Sequence, residues 1–262
     1  MSIIKIKKEE VSPIILLMMM FFCIVGSSIT GASARDTFFL TQFDRSLLPL
    51  MFALVAGLMV VVISIYNKMT SNLDLVKTII FSSVFFCITL FIIRFKLNGF
   101  VIPLFYAWTD VIISITIFQF WLLASEIFNP RQAKRLFSVI GIGGSVAGIS
   151  AGYLMRPFVS QFGAENLLIP TIIFIALIGV FAILLNPFRA KKDNDIREKT
   201  KNETSKNIFD PYLKSILVMV CAAAICSRIV EYQFKITAAT TYSSSAELAS
   251  FFGEYYMYLN GT

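Results

Sequence analysis

Apolar runs long enough to cross a bilayer dictate what this chain can fold into. A crossing takes about 20 mostly apolar residues, and the sequence supplies six such runs in succession, at 13–33, 47–66, 76–94, 100–124, 137–155 and 167–187. A seventh follows at 212–239, and an eighth begins. Hydrophobic residues make up 57% of the 262 positions and charged ones 15%, far more apolar than a water-soluble core of this length requires. In lipid every backbone polar group must be satisfied internally, and runs of this length do so as helices. The expected fold class is an all-α membrane protein.

Charge distribution then sets the expected orientation. With the amino terminus cytoplasmic, the inner side receives Lys5, Lys7, Lys8, Lys68, Lys77, Arg131, Lys134 and Arg135, and then the eight basic residues between Arg189 and Lys214. The outer side receives Arg35, Arg45, Arg94, Lys96 and Arg156. Sixteen against five satisfies the positive-inside rule, so topology explains most of the net charge of +7 and leaves little basis for a nucleic-acid partner. The apolar run after Lys8 is too long for a signal-peptide core, and Gly31-Ala32-Ser33-Ala34 falls late in it, so the run is expected to stay as the first span.

Histidine is absent, which removes the commonest metal ligand and the usual near-neutral acid–base group. Cys23, Cys87, Cys221 and Cys226 all lie in apolar runs without metal-ligand spacing, and packing is their expected role. Neither a cofactor nor a metal is called for, and the chain reads as no enzyme. Gly141, Gly143, Gly144, Gly148 and Gly152 follow no strand and precede no Gly-Lys-Ser/Thr, so they are not a phosphate loop. Gly144, Gly148 and Gly152 recur every four residues, the interval at which small residues let membrane helices approach closely.

Arg228, Glu231 and Lys235 interrupt the seventh apolar run at spacings of three and four, which place them on one helix face. A charge at mid-bilayer costs roughly 2.5 to 3.5 kcal/mol on insertion scales, and such residues commonly face a bundle interior or a watery path. Two readings stay open: a static salt-bridge cluster that orients helices, or part of a passage for an anionic substrate. For phosphate oxygens, Arg offers a planar fork and Lys a compact charge. The six spans, the charged 189–211 segment and the new spans from 212 resemble a major-facilitator transporter, with residues 1–188 as the first bundle, 189–211 as a cytoplasmic linker and 212–262 as an incomplete second bundle.

The run from Phe120-Trp121 through Ala124-Ser125, Asn129-Pro130 and Ala133-Lys134-Arg135 into Gly141-Ile142-Gly143-Gly144 ends one span and starts another. By itself it reads as an orientation anchor with Asn129 as helix cap and Pro130 at the first helical position. It also resembles the corresponding segment of the ATP/ADP antiporters of obligate intracellular bacteria and plastids. Ala34-Arg35-Asp36-Thr37 followed by Leu48-Pro49, and Val230-Glu231-Tyr232-Gln233-Phe234-Lys235 followed by Glu247-Leu248-Ala249, resemble two further segments of that family in the same order.

This resemblance implies a nucleotide substrate, ATP and ADP, exchanged across a bilayer by alternating access, in a bacterial inner membrane. It implies that Arg35 stands where the family has a functionally important lysine, that Glu231 and Lys235 match its glutamate and following lysine, and that Asp110 is nearest to its acidic residue in the fourth span. Arg228 joins them as a neighbour on the same face. Ser125 replaces a family asparagine and Tyr232-Gln233 replaces Gly-Pro, so the helix break expected after Glu231 is in question. A carrier of another organic or phosphorylated anion, and a non-transporting scaffold or sensor, are the alternatives. A chain ending at Thr262 is expected to be a partial product, with its remaining carboxyl-terminal helices supplied by a full-length chain.

Overall fold

The computed structural model describes residues 8–70, 73–96, 99–189, 211–242 and 244–261. Among them are eight α-helices and no strand: α1 Lys8–Gln42, α2 Leu48–Thr70, α3 Leu75–Phe95, α4 Val101–Ile127, α5 Pro130–Phe162, α6 Leu168–Leu185, α7 Pro211–Thr241 and α8 Ser245–Gly261. Seven helical stretches are long and apolar enough to cross a membrane, so the chain is a multi-pass, all-α membrane protein. The expected 189–211 linker lies, except for Arg189 and Pro211, outside the described residues.

The described part forms two compact units, Met1–Arg189 with Ala238–Thr262, and Ala190–Thr237. In the first, α1 is the central helix and packs on α4, α5 and α6. Leu17, Met20 and Ile24 of α1 join Phe120 and Leu123 of α4, Leu136 and Ile140 of α5 and Ile178 and Ala182 of α6 in one buried core. The polar residues of α1 are accommodated within the helix: Ser27 donates to the Ile24 carbonyl at 2.8 Å and Thr30 to Gly26 at 2.9 Å. Thr30 also shares a 2.8 Å hydrogen bond with Thr171 of α6, and such a bond ties two membrane helices together at about 1 kcal/mol or less.

Small residues permit the closest contacts. A Cβ on Gly143 would fall 2.3 Å from the backbone carbonyl oxygen of Met18, and one on Gly144 would fall 2.6 Å from the Phe21 ring, both on α1. Gly148 and Gly152 are buried as well, and Gly253 of α8 lies against Met155 of α5. The glycine face is thus used inside the first unit. Gly163, at φ 80°, ends α5 in a left-handed conformation that a residue with a Cβ adopts only at a cost.

α5 starts at Pro130 behind the Asn129 cap, as the sequence reading has it, with the Asn129 backbone N–H donating to Gln132 Oε1 at 3.1 Å, so the basic turn precedes the apolar run within one helix. One boundary differs: α1 continues nine residues past Ser33, and Arg35, counted above as an outer-side residue, is 3% exposed inside it. The run of apolar residues ends at Ser33, but the helix does not, because Arg35 finds its counter-charges within the bundle. Of the cysteines, Cys23 is buried and Cys87 half-buried, whereas Cys221 and Cys226 are exposed, so packing does not describe the last two.

At the end of the bundle where α1, α3 and α5 begin, two ion clusters join elements distant in sequence. Arg135 donates to both oxygens of Glu10, at 2.9 and 2.7 Å. Arg189 reaches Asp74 at 2.7 Å and Glu126 at 2.8 Å, linking the start of α3 to the ends of α4 and α6. The hydrogen bonds from Arg189 hold the Asp74 carboxyl below the ordinary carboxylate range. A carboxyl depressed in the folded state stabilises fully above its unfolded value, 3.8 here, and loses that contribution as pH falls through the folded value. Unfolding midpoints in detergent should therefore separate the parent from Asp74→Asn at neutral pH and converge in acid. A gap undiminished at about pH 2 would count against the clamp.

Candidate functional site

Arg35 is the centre of a buried charge cluster between α1 and α4. Its Nε donates to Asp36 Oδ1 at 2.9 Å and its Nη2 to Asp36 Oδ2 at 3.3 Å. Nη1 bonds to Asp110 Oδ1 of α4, and the guanidinium lies 4.5 Å above the ring of Tyr106, one helical turn before Asp110. A planar cation can serve a fork, a second carboxylate and an aromatic face at once, which a lysine ammonium cannot. The cluster is buried, yet Asp110 Oδ2 and the hydroxyls of Ser33 and Thr37 have no hydrogen-bond partner among the described residues. Arg35 and Asp110, both implied as site residues by the family resemblance, are brought together. Asp36 belongs to the same motif but is not among the site residues that the sequence reading names; its place beside Arg35 is the signal that points to it.

Within the second unit, α7 carries the other three candidates on one stripe. Arg228 Nη1 lies 2.8 Å from Glu231 Oε2, and Lys235 Nζ lies 2.7 Å from Glu231 Oε1. One carboxylate thus holds two cations, one on each oxygen. Burial rises along the stripe, from the half-exposed Arg228 to Lys235 at 3%. The helix continues unbroken from Pro211 to Thr241 through Tyr232 and Gln233, as their replacement of Gly-Pro permits: neither residue removes a backbone donor in the way proline does. Ser125, near the end of α4, donates locally to the Leu122 carbonyl at 2.7 Å.

Seven membrane-length helices with ionic clusters set into them define a polytopic membrane protein. Residues 103–261 match the TLC ATP/ADP transporter family, and the chain belongs to that family. It is also similar to the "ADP,ATP carrier protein 1, chloroplastic" of Arabidopsis thaliana, at 23% identity over 167 residues. That alignment covers 56% of this chain and 26% of the relative, so the chain corresponds to about a quarter of that protein's length. No solved structure matches.

Proposed function

We propose that the chain serves nucleotide exchange, binding ATP and ADP and moving them across a membrane without chemical change, and that it is no enzyme. The observation that carries this reading is the Glu231 bridge. Two cations suited to phosphate are held in an apolar helix by a single carboxylate, which offsets the cost of burying them while no substrate is bound. An arriving phosphate takes over Arg228 and Lys235 and frees Glu231, and this change of partners couples binding to alternating access. Arg35, held in the reverse arrangement as one cation between Asp36 and Asp110, supplies with Asp110 the second part of the substrate site. The remaining parts of the proposal are a major-facilitator arrangement of two bundles joined by the 189–211 linker, an amino terminus on the cytoplasmic side, and residence in a bacterial inner membrane.

The uninterrupted α7 favours one second reading, a carrier of another phosphorylated anion, because Tyr232 and Gln233 depart from the Gly-Pro of the nucleotide exchangers. Competition binding to the purified chain in vesicles separates the two. Labelled ADP should be displaced by ATP and ADP well below the concentrations of inorganic phosphate or a sugar phosphate that do so. Lys235→Ala should weaken ADP binding by about 10- to 100-fold, the effect of losing one charge-assisted hydrogen bond. Parent-like affinity in Lys235→Ala would remove the basis of the proposal, and preferential displacement by a sugar phosphate would establish the second reading.

A further inference from the structure

Beyond the exchange reading, and independent of it, is a groove in the first unit. α2 leans on α4, and α3 on α4 and α6, which leaves a space of about 430 Å³ along the seam between α2 and α3, backed by Trp108 of α4. Ile65 of α2 and Phe81 and Phe85 of α3 form its sides and stay largely exposed, so the groove opens sideways onto whatever surrounds the bundle. On a face of a multi-pass membrane protein that no further helix covers, that is hydrocarbon. The polar atoms behind it are already engaged: Gln119 donates to Tyr66 Oη and to Ser82 Oγ, each at 2.8 Å. The surface presented is therefore almost wholly apolar.

The mouth of the groove is different. Lys68 follows Ile65 by three residues and Lys77 precedes Phe81 by four, spacings that continue the two wall faces by one helical turn. Both lysines are exposed. Asp74 and Glu126 share that end of the bundle; both hold Arg189, and Lys77 also acts on Asp74. Across the described residues of the first unit at this end, seven Lys and Arg stand against four Asp and Glu, so the local field is positive. A hydrocarbon slot ending at two ammonium groups complements one acyl chain ending at a phosphate. Basic sites between helices at the membrane surface hold anionic headgroups in this way, whereas the cation of a zwitterionic headgroup opposes the same field.

We propose that the α2–α3 groove is a binding site for an anionic glycerophospholipid, with an acyl chain against Phe81, Phe85 and Trp108 and the phosphate on Lys68 and Lys77. The chain holds two tryptophans, so Trp121→Phe leaves Trp108, in the groove wall, as the sole reporter. Vesicles would contain increasing fractions of phosphatidylglycerol or phosphatidylcholine with brominated acyl chains, which quench indole fluorescence on contact. Half-quenching should need about tenfold less phosphatidylglycerol than phosphatidylcholine, the roughly 30-fold attraction of two lysines for an anionic surface being reduced by screening. Added salt should shrink that preference. Lys68→Gln with Lys77→Gln should abolish it while quenching by phosphatidylcholine persists, and Lys68→Arg with Lys77→Arg should retain it. Equal half-quenching fractions for the two lipids in the parent, a preference insensitive to salt, or one that survives the double glutamine change would overturn the proposal. If the glutamine variant does not fold, the parent salt titration and the arginine variant decide it.

Discussion

Arg35→Met is expected to destabilise the folded chain by about 3 to 5 kcal/mol, the loss that follows when one partner of a buried ion cluster is removed and its counter-charges stay behind. Methionine keeps much of the volume, so the loss reports charge and hydrogen bonding more than a cavity. Asp36 would lose two hydrogen bonds and Asp110 its Arg35 contact, with Asp110 Oδ2 already lacking a partner among the described residues. Lysine at the same position should recover part of the loss, since it restores the charge but not the fork or the stacking over Tyr106. Combining Arg35→Met with Asp110→Asn should cost less than the two changes summed, because the second removes a charge that the first strands. Unfolding midpoints in detergent, read for all four chains, give the coupling directly. An Arg35→Met chain within about 1 kcal/mol of the parent would show that the cluster contributes little.

That cluster also marks where the sequence stops being legible. The spans could be read because bilayer thickness fixes the length of an apolar run, and the seven long helices fall where those runs are. The end of α1 could not, because Asp36 is a local counter-charge to Arg35 but the second one is a carboxylate 75 residues away on α4, which no local pattern announces. The same holds for Arg189, whose partners Asp74 and Glu126 lie 115 and 63 residues distant. By contrast, the Arg228, Glu231 and Lys235 pairs follow from helical geometry alone, since spacings of three and four are contacts on any α-helix. Which function these residues serve is another matter. Spacing sets who can touch, and only the surroundings of a charge decide whether a substrate reaches it.

The glycines of α5 yield the second large prediction, and they separate what a pattern shows from what packing decides. The four-residue rhythm picks out Gly144, Gly148 and Gly152, yet the tightest approach described is at Gly143, where a Cβ would meet the Met18 backbone oxygen at 2.3 Å. Backbone cannot rotate aside as a side chain can. Gly143→Ala must therefore push α1 from α5 along a contact that the buried core depends on, at a cost of about 1 to 3 kcal/mol for overpacking, partly offset by up to about 1 kcal/mol from the better helix propensity of alanine. Gly141, two residues earlier on the same helix, has nothing within 4 Å of a built Cβ, so Gly141→Ala carries the propensity gain alone. The two substitutions, chemically identical, should move the unfolding midpoint in opposite directions. If both raise it, α1 and α5 do not meet at Gly143; if both lower it, glycine is required along this helix for a reason other than the approach of α1.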